Sequence, residues 1–177
     1  VNNVLDTIEK NGWYYLIDID NISITKAEWD TIVNIGDVKL EKIAFVLLCY
    51  IKVYRARGSN KDKVEELTYI LKEASITSNN ENKLLFADLK DLGLIEIGNL
   101  KHMYVKPLYI NEESEEYIKI DDFDKVISYY DEYKNGSKYE KCQVCGKRIK
   151  ITNNRSKYCK VCGKDINRKK TIERKKR

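Results

Sequence analysis

Four clustered cysteines are the residues in this chain whose type and spacing most clearly predict chemistry. They form two C-x-x-C pairs with thirteen residues between the pairs: Cys142 with Cys145, and Cys159 with Cys162. The short gap lets a tight turn direct both sulfurs of a pair at one ion, and the longer gap accommodates a returning hairpin. Gly146 and Gly163 follow the pairs, and we expect both to adopt positive φ values that turn backbone N–H groups toward thiolates. The pattern predicts one structural Zn²⁺, with two disulfides or buried unpaired thiols as alternatives.

Basic residues surround these cysteines and are scarce in the rest of the chain. From residue 137 to the end there are 16 Lys or Arg against three acids, a balance of +13. The preceding 136 residues carry 17 basic and 25 acidic side chains, a balance of −8. Such polarity predicts a polyanionic partner for the basic end, with a merely solubilising tail as the alternative.

Residues 139–177 resemble the small treble-clef or zinc-ribbon units of bacterial and phage proteins. The shared features are C-x-x-C-G-K, a short hairpin, Tyr158 before the second pair, and the basic run from Arg168 to Arg177. Treble clef and ribbon both remain open. The resemblance implies binding of nucleic acid or protein rather than catalysis. We expect these residues to contact phosphate: Arg148, Lys150, Arg155, Lys157, Arg168, Lys169, Lys170, Arg174 and Lys175.

The first 137 residues read as a mainly helical domain with small β elements. A stripe of apolar residues at intervals of three and four predicts its most secure helix, from Leu40 to Arg57. A capping box at Thr25 to Glu28 predicts an earlier helix. Further helices are predicted over 61–74, 80–92 and 123–134, and strands over 13–20, 94–97, 101–106 and 117–120.

The order of three helices and a hairpin, over residues 38–110, resembles a winged helix-turn-helix. The apolar spacing of the third helix places Leu85, Leu89 and Leu92 toward the core, with Leu84 and Phe86 flanking them. The resemblance implies that this helix enters a DNA groove. The expected outward contacts are Asn79, Asn80, Asn82 and Lys83, with Lys101 and His102 near the wing. However, Glu81, Asp88 and Asp91 share this helix. Both DNA reading and protein binding by this helix therefore stay open.

The predicted fold class is mainly α with small β elements (α+β). We expect a winged-helix-like domain at 1–137, with an N-terminal strand and helix and a C-terminal helix as extensions, and a zinc module with a basic tail at 138–177. Gly136 combines a chain breaker with the change in charge, which favours this boundary. Cys49 lies within the apolar stripe and is predicted to be a small buried hydrophobe. No signal peptide or membrane span is apparent, which predicts a cytoplasmic protein.

Together these features predict a nucleic-acid-binding protein of a bacterium, phage or plasmid, with DNA favoured over RNA. The alternative is a protein-interaction module whose acidic domain binds a partner, such as a phage or mobile-element inhibitor of a nucleic-acid enzyme. We expect no catalysis. His102 is the only histidine in the sequence, and the sequence contains neither a glycine-rich phosphate loop nor H-E-x-x-H.

Overall fold

The computed structural model describes residues 19–98, 103–153 and 156–176, with the side chains at 173, 175 and 176 excepted. These residues form helices and small two-stranded sheets, which confirms the α+β class. They divide into two compact units, one ending at Asp121 and the other beginning at Asp122. Among the described residues, no helix has the length and apolar character needed to cross a membrane.

The N-terminal unit contains two small sheets and four α-helices among its described residues. In chain order its elements are β1 (Ile22–Thr25), α1 (Lys26–Val33), α2 (Val38–Ala56), α3 (Leu67–Glu73), α4 (Asn80–Asp91), β2 (Ile95–Ile97), β3 (Val105–Pro107) and β4 (Glu116–Ile120). Strand β1 pairs with β4, and β2 pairs with β3, both antiparallel.

Helix α2 is the centre of the N-terminal unit, as the apolar stripe predicted. Asp37 begins it by accepting hydrogen bonds from the backbone N–H groups of Lys39 and Leu40, at 2.8 and 3.0 Å. Its apolar side chains are buried on nearly every side, and Phe45 meets the ring of Trp29 edge-on at 6.1 Å. Because α1, α3, α4 and β1 all pack against it, this helix fixes the positions of the others.

The capping box predicted at the start of α1 is present, and it is joined to a buried ion pair. Glu28 accepts a hydrogen bond from the backbone N–H of Thr25 at 2.8 Å and from that of Asn111 at 3.1 Å. The Nζ of Lys52 lies 3.0 Å from the same carboxylate, and both side chains are almost completely buried. The pair thus links α1 to α2 and to the segment before β4.

Helix α3 is shorter than predicted, beginning at Leu67 instead of Lys61. The preceding segment is extended, because Val64 forms an antiparallel bridge with Val105, with reciprocal N–H···O bonds of 2.8 Å. A partner 41 residues away in sequence therefore overrides the local helical pattern.

Helix α4 matches its predicted bounds, and its buried face matches the prediction in part. Leu89 is buried as predicted and lies with Asn82 and Phe86 on the inner side, whereas Leu85 is half-buried and Leu92 is 55% exposed at the end of the helix. The predicted hairpin follows it as β2 and β3, paired from Ile95↔Pro107 to Ile97↔Val105.

The strand predicted over 117–120 is present as β4, and its partner is β1, which was not predicted as a strand. The two strands lie about ninety residues apart in sequence, so no local hairpin signal exists for them. The strand predicted over 13–20 falls almost entirely outside the described residues.

The C-terminal unit begins before the boundary expected at residue 137. Its elements are a 3₁₀ turn (Phe123–Lys125), α5 (Ile127–Asn135), β5 (Tyr139–Lys141), β6 (Arg148–Lys150) and α6 (Lys160–Lys176). Helix α5 ends at Gly136, whose φ of 62° lies in the left-handed region. The predicted boundary thus lies inside this unit, where Asp131 and Glu132 of α5 bond to Tyr139 and Arg148 of the hairpin formed by β5 and β6.

Candidate metal centre and basic helix

The four cysteines of the two C-x-x-C pairs converge in the C-terminal unit. Their sulfur atoms all lie within 4.8 Å of one another, and the Sγ atoms of Cys145 and Cys159 are 3.8 Å apart. Four sulfurs placed about 2.3 Å from one central ion in a tetrahedron would be separated by about 3.8 Å. A disulfide requires about 2.05 Å, and all four thiols are free. The arrangement could therefore hold a metal ion.

The hairpin supplies the first pair. Cys142 follows β5 and donates its backbone N–H to Lys147 O at 2.8 Å, while the N–H of Gly146 returns to Cys142 O at 2.9 Å. Gly146 has a φ of 72°, as predicted, and this tight turn places Cys145 beside Cys142.

The second pair lies at the start of α6. Cys159 precedes the helix, and Cys162 lies in its first turn and donates its backbone N–H to the sulfur of Cys159 at 3.4 Å. The positive φ expected at Gly163 is wrong, because this residue is helical and donates its N–H to Cys159 O. A Cβ at this position would lie 4.0 Å from the Cβ of Tyr158, an ordinary van der Waals distance, so a side chain as small as that of alanine would fit.

Backbone N–H groups make the cluster receptive to a cation. Those of Cys145, Cys159 and Val144 lower the pKa of Cys142 to about 6. The N–H of Cys162 lowers the pKa of Cys159 in the same way. Hydrogen bonding of the Cys162 thiol to the sulfurs of Cys159 and Cys145 raises its pKa to about 12. A cation that binds all four sulfurs would therefore displace at least one thiol proton from the cluster.

Cys49, the fifth cysteine, is buried in α2 of the N-terminal unit. Burial strongly raises the pKa of its thiol, as expected for a small apolar residue of the core.

Arg148 is placed differently from its prediction as an outward phosphate contact. Its guanidinium pairs with Glu132 of α5 and lies over the rings of Tyr129 and Tyr139, 3.9 and 5.1 Å from their centroids. Its backbone N–H also donates to the carboxylate of Asp122 at 3.1 Å. With only 14% of its side chain exposed, Arg148 joins α5 to the hairpin instead of facing solvent.

The remaining basic residues of the C-terminal unit are mostly exposed. Lys150 on β6 and Lys157 before α6 are exposed, as predicted, while Arg155 lies outside the described residues. On α6, the exposed basic side chains are Lys160, Lys164, Arg168, Lys169, Lys170 and Arg174, and the side chain of Lys175 is not described.

Most of these cations share one side of α6. At about 3.6 residues per turn, one continuous arc contains a set that we call the basic face: Lys160, Lys164, Asn167, Arg168, Lys170, Thr171 and Arg174. Asp165 and Lys169 fall outside this arc. The basic face thus combines five cations with two hydrogen-bonding side chains and no acid.

The residues predicted to read DNA from α4 are dispersed. Asn79 caps the helix by accepting the backbone N–H of Asn82 at 2.7 Å, and Asn80 and Lys83 are exposed. The outward orientation expected for Asn82 is wrong. Its side chain is buried and donates to Thr77 O at 2.7 Å while accepting from Lys39. Lys101 and His102 lie outside the described residues.

An apolar groove borders the exposed side of α4, and the sequence patterns did not indicate it. It has a volume of about 750 Å³ between α3, α4 and the hairpin of β2 and β3. Leu84 is 65% exposed there and Met103 is 52% exposed. Leu84 could have indicated it, because this leucine does not share the face of α4 that buries Phe86 and Leu89.

No protein-family description, curated protein or solved structure matches this chain. The site must therefore be interpreted from its own geometry.

Proposed function

We propose that this protein binds nucleic acid, DNA in preference to RNA, through the basic face of α6. The supporting observation is that one helix presents five cations without an acid on one side, and that this helix begins between two cysteines of the candidate metal centre. Lys and Arg in such an array neutralise phosphates and release condensed counterions. Asn167 and Thr171 add side chains that can hydrogen-bond to base edges or phosphate.

Zn²⁺ is the metal we propose for the four sulfurs. Thiolates are soft ligands that favour zinc, and four protein ligands complete its tetrahedral shell without an open position for water. Zinc would supply folding free energy here, by holding the β5–β6 hairpin against the start of α6. We therefore propose that the chain is a binding protein and not an enzyme. We also propose that it belongs to a bacterium, phage or plasmid and acts in a reducing cytoplasm, where the thiols stay available to a metal.

Two structural types fit the element order. In the C-terminal unit, a hairpin carries one cysteine pair and the following helix begins within the other, which favours a treble clef over a ribbon. In the N-terminal unit, the succession α2, the bridge at Val64, α3, α4 and the β2–β3 hairpin supports a winged helix. We assign the phosphate contacts to α6 because the exposed side of α4 combines apolar residues with charges of both signs, whereas the basic face of α6 carries no acid.

The test is the salt dependence of binding by the full chain. We expect the dissociation constant for duplex DNA to rise by about 10³-fold between about 50 and about 200 mM salt, as for roughly six phosphate contacts. The triple substitution Lys164→Ala, Arg168→Ala and Arg174→Ala should lower the slope of log K against log salt by about 2.7.

A matched control removes three exposed lysines elsewhere: Lys90→Ala, Lys119→Ala and Lys125→Ala. This control changes the net charge by the same amount. Because its three lysines lie outside the basic face, most of the slope of log K against log salt should remain. Equal losses in both variants, or no binding at low salt, would contradict the proposal. Competition with RNA of the same sequence measures the preference for DNA.

The second candidate function is protein binding by the N-terminal unit, as in an inhibitor of a nucleic-acid enzyme. The apolar groove beside α4 favours it, because exposed apolar surface rimmed by charges marks interaction sites. Under this alternative, the basic-face variant would retain the protein's principal interaction.

A further inference from the structure

The exposed side of α4 has a composition that suits another protein surface. Leu84 and Ala87 lie side by side on it, one turn apart, and both are exposed beside the groove. Met103 extends the apolar area. A phosphate backbone would gain little from these side chains, and Asp88 and Asp91 on the same helix would repel it.

Charges flank this apolar strip in a symmetrical way. Lys83 lies four residues before Ala87, and Asp91 lies four residues after it; both are exposed. Residues four apart occupy neighbouring positions on a helical face, so Lys83, Ala87 and Asp91 form one row along α4. The small Ala87 at the centre of the row permits close approach by another helix.

That row is complementary to itself when reversed. If two copies of α4 cross antiparallel at Ala87, the twofold axis brings Lys83 of each copy opposite Asp91 of the other. The contact occurs twice, so two ion pairs enclose the apolar strip. The groove shows the same division of charge, with Glu65 and Glu66 before α3 and Lys72 near its end.

We propose that the α4 face is a homodimer interface whose occupant is a second copy of this chain. The two α4 helices pack antiparallel about Ala87, Lys83 pairs with Asp91 across the axis, and Leu84 of each copy enters the groove of the other. This interface is independent of nucleic-acid binding by α6, and it would give the dimer two basic faces.

The first measurement is sedimentation equilibrium of the full chain from about 1 to about 100 μM. A concentration-dependent dimer is expected. Leu84→Glu should weaken it more than about 100-fold, because a charge enters an apolar groove twice per dimer. Leu84 is exposed in the single chain, so the variant should retain the wild-type thermal unfolding of the monomer.

The second measurement is a charge exchange. Lys83→Glu and Asp91→Lys should each weaken the dimer about tenfold or more, because each places like charges opposite one another at both ends of the interface. The double variant should recover most of the lost affinity. Lys119→Glu, an exposed lysine on β4, is the matched control and should leave dimerisation unchanged.

Three results would overturn the proposal. The first is a monomer across the whole concentration range, which would assign the groove to another occupant. The second is a dimer that tolerates Leu84→Glu, which would place the interface elsewhere. The third is a double charge variant no tighter than its two parents.

Discussion

The two units of this protein are stabilised in different ways. The N-terminal unit surrounds α2 with buried apolar side chains, such as Ile43, Phe45 and Leu47, which are fully buried. In the described part of the C-terminal unit, the buried residues are few and lie mainly in and before α5. From residue 138 onward, Cys142 is the one residue of the described segments that is buried. There the sulfur cluster takes the place of an apolar core.

This difference explains how one chain supports such unequal surfaces. A metal ion bound by the four sulfurs would let the segment from residue 138 onward fold with few buried side chains, which would leave α6 free to present cations along most of its length. The N-terminal unit has an apolar core, and the exposed apolar residues at its groove are not part of that core. The two surfaces thus differ in chemistry: α6 presents cations, and the groove beside α4 presents apolar side chains.

Metal chelation should produce the largest difference in stability between the two units. Structural zinc sites contribute apparent binding free energies of about 10–16 kcal/mol, so a chelator should unfold the segment from residue 138 onward and leave α2 intact. Hydrogen exchange should show lost protection in the β5–β6 hairpin and α6, with protection retained in α2. Cys49→Ala serves as a control and should not change metal content. Simultaneous loss of protection in both units would refute the comparison.

Glu28→Gln should produce the largest effect confined to the N-terminal unit. It leaves the buried Lys52 without a counter-charge, which costs about 3–5 kcal/mol. Chemical denaturation of the full chain should detect this loss in α1 and α2, with zinc content unchanged. Asp30→Asn breaks the partly exposed pair with Lys26 and should cost less than about 1 kcal/mol. Comparable losses in the two variants would argue against the importance of burial.

Arg148 and Arg168 should differ in kind, although both belong to the basic end of the chain. Arg148→Ala removes an ion pair and two ring contacts, so it should destabilise the C-terminal unit by about 2 kcal/mol. Its effect on the salt slope should be negligible. Arg168→Ala should leave stability unchanged and lower the slope by about 0.9. The reverse pattern, measured by thermal unfolding and DNA titration, would exchange their roles.

The glycines after the cysteine pairs give the smallest expected contrast. Gly146→Ala forces a side chain into a left-handed conformation and should cost about 1 kcal/mol. Gly163→Ala lies within α6 and should be neutral or stabilising by up to about 1 kcal/mol, because helices favour alanine. Thermal unfolding of the zinc-loaded protein distinguishes them. Equal destabilisation would mean that both positions need glycine.

Local patterns predicted the features that depend on neighbouring residues. The periodic stripe located α2, the capping box located α1, and cysteine spacing located the cluster of four sulfurs. Features made by distant partners were missed: β1 depends on β4, and the late start of α3 depends on the bridge from Val64 to Val105.

The sequence also did not predict the surroundings of two polar side chains, Arg148 and Asn82. Arg148 looks like any tail cation in the sequence, and only the approach of α5 brings Glu132 and Tyr129 to it. Asparagine usually lies at the surface, yet the side chain of Asn82, in the first turn of α4, is buried and donates a hydrogen bond to Thr77 O. Neither role has a periodicity or spacing that a sequence pattern could reveal.

Metal stoichiometry is the most direct test, because a metal ion on the four sulfurs would hold the β5–β6 hairpin to the start of α6. Native mass spectrometry of the full chain should find one zinc ion per chain, and Cys159→Ser should lose it together with the protection of α6. A metal-free chain whose α6 remains protected from exchange would show that α6 does not depend on a metal ion.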